Sequence, residues 1–204
     1  MPNATFIAPL ATKVVMHREK AGLAQDTRRR DRIAGRRAAA KAVARHCSVS
    51  PAEVRVVGRS GASPLALLRN EDSSWQTLPV SISISHHDGC GLAAVADRPT
   101  QIGVDLARLG EIEPEHQRYF LAPSEWSVAE RIGATQVWAL KEAAWKALSL
   151  SPETPFSALE LVIDDEYKLC GLRLEGCWIS ATGRTWRYSR TLIAAVVCIA
   201  QAVE

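Results

Sequence analysis

An α+β protein of two similar lobes is what this sequence predicts, on three observations. In each half, helical segments precede a set of short strand patterns. The run Gly91-Leu92-Ala93-Ala94-Val95-Ala96 near the end of the first half is echoed by Leu192-Ile193-Ala194-Ala195-Val196-Val197 near the end of the second. Between them, Asp97-Arg98-Pro99-Thr100 combines turn chemistry with a change of charge sign. Residues 1–100 carry 15 Lys+Arg against 8 Asp+Glu, a balance of +7; residues 101–204 carry 10 against 14, a balance of −4. The boundary set there gives lobes 1–98 and 99–204.

Residues 26–46 predict a helix, with Asp26 as its cap, alanines through its second half and no internal proline. A short strand is expected from Glu53 to Arg59, then a turn over Ser60-Gly61-Ala62-Ser63-Pro64 and a second strand from Leu65 to Leu68. Residues 69–77 read as a polar loop. Val80-Ser81-Ile82-Ser83-Ile84-Ser85 alternates strictly and predicts a half-buried strand. His86-His87-Asp88-Gly89 reads as a hairpin turn, and Leu92 to Ala96 as the returning strand.

In the second half, Ile102-Gly103-Val104-Asp105-Leu106 predicts a strand with an acid near its end. Helices are expected at 114–119, 123–132 and 135–149, Pro123 suiting an early helical position. Strands are expected at 158–163, 168–174 and 176–181, with a final one over about 186–201.

Composition narrows the function classes. With 47% hydrophobic and 23% charged residues, the chain reads as a soluble globular protein. No stretch approaches the roughly 20 apolar residues of a bilayer span. The start, Met1 to Val15, lacks the pattern of a signal peptide, so a cytoplasmic protein is expected. Five cysteines, odd in number and without a C-x-x-C pair, give neither a disulfide framework nor a zinc signature, and most are read as small buried hydrophobes. The basic excess gathers in Arg28, Arg29, Arg30, Arg32, Arg36, Arg37, Lys41 and Arg45. Such a helix suits water, an anionic ligand, an acidic protein or nucleic acid. Three Tyr and three Phe with no nucleic-acid motif argue against the last.

Two segments carry chemistry. Along the 102–106 strand, Ile102, Val104 and Leu106 share one face; Gly103, Asp105 and Ala107 share the other. Burial of the first face turns Asp105 the opposite way, beside a glycine expected to leave room for a ligand. On the helix containing Trp138-Ala139-Leu140-Lys141-Glu142-Ala143-Ala144-Trp145-Lys146, residues Val137, Leu140, Ala144, Ala147 and Leu148 form an apolar stripe. Glu142 and Lys146 fall roughly opposite it, one turn apart, with Trp138 and Trp145 on the flank. A strand carboxylate facing a helix carboxylate and an amine suits a Mg²⁺–pyrophosphate site, since the metal needs hard oxygens and the phosphate a second cation. Taken singly, Glu142 and Lys146 also fit a solvated ion pair, and Asp105 a strand-end turn acid.

In their order, the segment 80–86 ending in Ser85-His86, the Gly103-x-Asp105 strand and the W-x-x-K-E-A-x-x-K helix resemble the 4′-phosphopantetheinyl transferases, specifically their larger pseudo-dimeric class. Looser matches are Arg28-Arg29-Arg30-Asp31 through Gly35-Arg36-Arg37-Ala38-Ala39, the Gly61-to-Pro64 turn, and Phe120-Leu121-Ala122-Pro123-Ser124-Glu125-Trp126. The resemblance runs from about residue 26 to the C-terminus. It implies two α+β lobes related by a pseudo-twofold, with the active site between them. It also implies transfer of the phosphopantetheine arm of coenzyme A to a serine of an apo acyl or peptidyl carrier protein, releasing adenosine 3′,5′-bisphosphate. Asp105 and Glu142 are the implied Mg²⁺ ligands, and Glu142 and Lys146 the catalytic pair. Arg28, Arg36, Ser85, His86, Lys141 and Lys146 are the implied coenzyme contacts, the two arginines on its 3′-phosphate. The partners implied are coenzyme A and a carrier domain, without nucleic acid or membrane, and a monomer is expected because the lobes meet within one chain. Many members carry a second acid two positions after the aspartate, where this chain has Ala107. The site is therefore read as two carboxylates completed by water. The same departure motivates the alternative of a non-catalytic coenzyme A or carrier-protein-binding relative.

Overall fold

The computed structural model describes residues 5–7, 13–20, 27–59 and 62–199. The expected helix cap Asp26 and the turn residues Ser60 and Gly61 lie outside them, as do residues 200 and 201 of the last expected strand. The architecture is mixed α+β, and the chain divides into two compact units, the first ending at Ile102 and the second beginning at Gly103. Among the described residues, no helix is long and apolar enough to cross a membrane.

In chain order the first unit contains β1 (Thr5–Ile7), β2 (Lys13–Lys20), α1 (Thr27–Cys47), β3 (Val54–Arg59), β4 (Ala62–Arg69), β5 (Trp75–Thr77), β6 (Val80–His87) and β7 (Cys90–Asp97). β1, β2, β7 and β6 form one antiparallel sheet, and β3, β4 and β5 another. The inner stripe of α1 (Ala38, Ala39, Ala42 and Val43) is wholly buried and packs with Val80, Ile82, Ala93 and Val95. Alanines give the helix its propensity and let it lie close to the sheet. Its exposed face carries Arg28, Arg29, Arg32, Arg36, Arg37 and Arg45.

Three expectations change in this unit. β6 is not half-buried: Ser83 and Ser85 are buried along with Val80 and Ile82, so the alternation does not mark a solvent face. The polar loop 69–77 contains β5, which pairs with β4 through Leu67–Thr77, Leu68–Gln76 and Arg69–Trp75. The tight turn is made at Asn70–Ser74, where the Asn70 main-chain and side-chain N–H groups donate to the Ser74 carbonyl and hydroxyl and Asp72 accepts from the Ser74 N–H. Ser63 and Pro64 belong to β4 rather than to the preceding turn. The β6–β7 hairpin turns on Asp88-Gly89, both at positive φ, as a two-residue connection requires.

β8 (Gln101–Arg108) leads into the second unit, followed by α2 (Trp126–Ile132), α3 (Ala134–Leu148), β9 (Leu159–Ile163), β10 (Leu169–Leu174), β11 (Cys177–Ile179), β12 (Ala181–Arg187) and β13 (Leu192–Ile199). The sheet order is β11-β10-β12-β13-β8, with β9 on β10. Val137, Leu140, Ala144 and Ala147 of α3 are buried as expected, and Thr135, Ala139, Lys141 and Ala143 are buried with them, so the covered face is wider than the stripe. Leu148 is only partly buried. Phe156 stacks on both Trp138 and Trp145, with ring centroids 5.0 and 4.2 Å apart.

Here too the boundaries shift. Residues 114–119 form a 3₁₀ segment, and Pro123–Glu125 is a 3₁₀ turn leading into α2. The strand expected at 176–181 is β11 followed by the start of β12. The strand expected at 186–201 is broken by a turn at residues 188–191, where the Ser189 hydroxyl accepts from the N–H groups of Thr191 and Leu192. Cys90 and Cys198 are buried, Cys47 is partly so, and Cys170 and Cys177 are exposed, fewer interior thiols than composition suggested.

Candidate functional site

In the second unit, α3 lies directly on β8, and Gly103 permits it. A Cβ at this position would fall 1.7 Å from the Ala143 carbonyl oxygen. The glycine expected to leave room for a ligand makes room for the helix instead. Asp105, two residues further on the same strand face, is thereby brought to the side chains one residue before and three after Ala143.

The contacts are short. Lys146 Nζ donates to Asp105 Oδ1 at 2.6 Å and to the Val104 carbonyl at 3.3 Å, and lies 3.8 Å from Glu142 Oε2. Asp105 is nearly enclosed, while Glu142 and Lys146 keep about a quarter to a third of their side-chain surface exposed. An ammonium thus stands beside two carboxylates. Burial pushes the Glu142 carboxyl above the usual carboxylate range; Lys146 opposes the shift and the Asp105 charge reinforces it. The three residues the sequence pointed to are together, and Glu142 and Lys146 are not merely a solvated helix pair.

Lys141 requires a correction. Expected to contact the coenzyme, it is fully buried and its ammonium donates to Glu125 Oε2 at 2.6 Å. Its neighbours on α3 settle the direction: Leu140 and Ala144 face the core, and Lys141 is enclosed with them. Ala107 is equally enclosed, packed among the apolar residues that surround α3.

In the first unit, His86 is exposed, and Ser85 before it is buried. The His86 ring lies against α1 at Gly35, where a Cβ would meet its Cδ2 at 3.3 Å. The next helix residue is Arg36. Asp31 accepts from the Gly89 N–H at 2.5 Å, and Arg30 lies alongside Gly89, so the start of α1 is tied to the β6–β7 turn. Arg28 stands on the exposed face in the first turn of α1.

Glu125 and Asp31 were missed as organising residues. Glu125 carried a weak signal, an acid in the matched segment 120–126, but besides the nearby Ala122 N–H its partners are 16 and 36 residues away and no local pattern names those two. The second tie in the first unit, His46 Nε2 to Asp97 Oδ1 at 2.8 Å, was equally invisible across 51 residues.

Among the described residues, no three or more His, Cys, Asp and Glu side chains gather as a metal cage. Asp105 and Glu142 are instead a pair of hard-oxygen donors, the first nearly enclosed and the second partly exposed. Mg²⁺ commonly takes one or two carboxylates and leaves its other positions to water and substrate phosphate, so the donor set fits that ion. The neighbouring ammonium shows that this position stabilises positive charge. Neither protein-family models nor curated proteins give a match to this chain.

Proposed function

We propose that the chain is a Mg²⁺-dependent transferase that moves the 4′-phosphopantetheine arm of coenzyme A onto a serine of an apo carrier protein. The single observation that carries the reading is the Asp105–Lys146–Glu142 cluster, in which strand and helix bring two carboxylates and an amine together. The reading takes the two α+β units as the related halves of the pseudo-dimeric transferase fold. In each, a long helix lies on an antiparallel sheet.

Asp105 and Glu142 are the residues that would hold the metal, which when bound would neutralise charge on the pyrophosphate. The carrier serine oxygen forms a bond to the phosphorus on the pantetheine side. The bond from that phosphorus to the bridging oxygen breaks, and adenosine 3′,5′-bisphosphate leaves. Glu142, whose burial strengthens its hold on a proton, accepts the serine proton directly or through a water beside it. Lys146 meets the negative charge growing on the departing phosphate. Arg28, Arg36 and His86 are assigned to the coenzyme phosphates, the His86 ring lying against α1 at Gly35. Ser85 is buried, and Lys141 leaves the set of coenzyme contacts.

The test is intact mass measurement of several apo carrier proteins after incubation with coenzyme A and Mg²⁺. A gain equal to one phosphopantetheine, absent when Asp105→Ala or Glu142→Ala protein is used, is the expected result. Coenzyme binding with no modified serine in any carrier would favour a non-catalytic relative, the reading that Ala107 in place of a second acid motivates.

A further inference from the structure

Glu125 and Lys141 form an ion pair with essentially no solvent exposure on either side chain. Glu125 is held from three directions. Its Oε2 accepts from the Ala122 N–H at 2.7 Å and from Lys141 Nζ at 2.6 Å, while its Oε1 accepts from the Leu161 N–H at 2.7 Å. One carboxylate thus joins the 122–125 turn, α3 and β9.

A pair of this kind is a poor source of net stability. Removing two charges from water costs about as much as their attraction returns, and an apolar pair of similar volume often serves the fold as well. What an ion pair has and an apolar pair lacks is direction. Hydrogen bonds to two main-chain N–H groups fix the carboxylate, and the carboxylate then fixes Nζ to within a short bond length. Successive helix residues are about 100° apart, so a helix whose Lys141 is anchored inward can neither roll nor slide without moving Glu142.

We infer that the buried Glu125–Lys141 pair is a positioning device that sets the roll of α3, so that Glu142 and Lys146 face Asp105. Neither residue touches substrate; both act through Glu142 and Lys146. The inference rests on the metal reading of Asp105 and Glu142 proposed above.

The experiment uses the full chain and reads two quantities without turnover: the thermal midpoint, and Mn²⁺ affinity by paramagnetic resonance of the free ion. Lys141→Met leaves Glu125 buried and unpaired, and its midpoint is expected to fall by roughly 10 °C. The apolar pair Glu125→Leu/Lys141→Met is expected to recover most of that loss yet bind Mn²⁺ at least tenfold more weakly than wild type. Glu125→Asp, which keeps the charge but shortens the reach by one methylene, covers the case in which the double variant does not fold. It is expected to weaken Mn²⁺ severalfold while remaining folded. Wild-type Mn²⁺ affinity in a folded double variant, or in folded Glu125→Asp when the double variant does not fold, would reduce the pair to a structural element and overturn the inference. Asp105→Asn is the control. If wild-type protein shows no Mn²⁺ binding that this substitution removes, the metal reading itself fails and the inference falls with it.

Discussion

Lys146 joins three partners with one ammonium: Asp105 at 2.6 Å, the Val104 carbonyl at 3.3 Å and Glu142 at 3.8 Å. Its loss should therefore show in two ways. In Lys146→Met, kcat is expected to fall about 10²–10³-fold with a much smaller change in coenzyme A affinity, because in the proposed reaction the cation acts on charge that develops as the phosphate leaves. Steady-state kinetics beside a direct binding measurement separate these, and a pure affinity loss would remove Lys146 from catalysis. The second effect is on Glu142. Burial and the Asp105 charge raise its carboxyl while Lys146 lowers it, so removal of the lysine should raise it further. Carbon-13 titration of the Glu142 carboxyl in metal-free protein should show a midpoint above the usual carboxylate range, and a higher one in Lys146→Met. The fold holds this proton more tightly than the unfolded chain does, so its contribution is full below the unfolded carboxylate range and is lost as pH rises through the raised midpoint. Glu142→Gln should remove that loss and flatten stability across the same interval.

α3 and β8 come into contact because a glycine lets them touch. Gly103→Ala should displace the helix, since its Cβ would sit 1.7 Å from the Ala143 carbonyl oxygen. Overpacking at such a contact costs about 1–3 kcal/mol or more, and the Lys146–Asp105 bridge should be lost with it. Gly58→Ala on β3 is the matched control, because nothing lies within 4 Å of its added Cβ. Thermal unfolding and transfer activity of the two variants provide the comparison; equal behaviour would mean that the strand–helix approach is not what assembles the site. The tie between Asp31 and Gly89 does for α1 what Gly103 does for α3, setting a helix against the element that carries a candidate site residue.

Across the whole molecule, charge and thiols make two further predictions. The exposed arginines of α1 sit in the half of the chain with a +7 balance. Arg28→Ala and Arg36→Ala should each weaken coenzyme A on the order of tenfold, because a charge-assisted phosphate contact is worth roughly 1.5–3 kcal/mol. Dephospho-coenzyme A should be affected far less. Equal losses for both ligands, measured by calorimetry, would move these arginines to the acidic carrier surface. Among the thiols, burial pushes Cys198 up to about 12, so its thiolate is scarce at pH 8. Cys170 and Cys177 should react promptly with a chromogenic disulfide in native protein, whereas Cys90 and Cys198 should react only on unfolding. Prompt labelling of Cys198 would contradict the closed β12–β13 core.

The α1 and α3 helices, the strand carrying Asp105 and the pairing of Glu142 with Lys146 were legible in the sequence, because each rests on local periodicity. An apolar stripe, an alternating strand and an i,i+4 spacing are fixed by the chain's own geometry. The position of Asp105 against that helix pair was legible only through the order of three motifs. What tertiary structure alone decided is of another kind. It gave Gly103 to a helix backbone rather than to a ligand, enclosed Ser83 and Ser85 in spite of their alternation, made β5 from a polar segment by pairing it with β4, and turned Lys141 inward to Glu125. Each outcome depends on which other segment covers or pairs with a residue. Desolvation and the pairing of buried polar groups are properties of that contact, and no spacing along the chain encodes them.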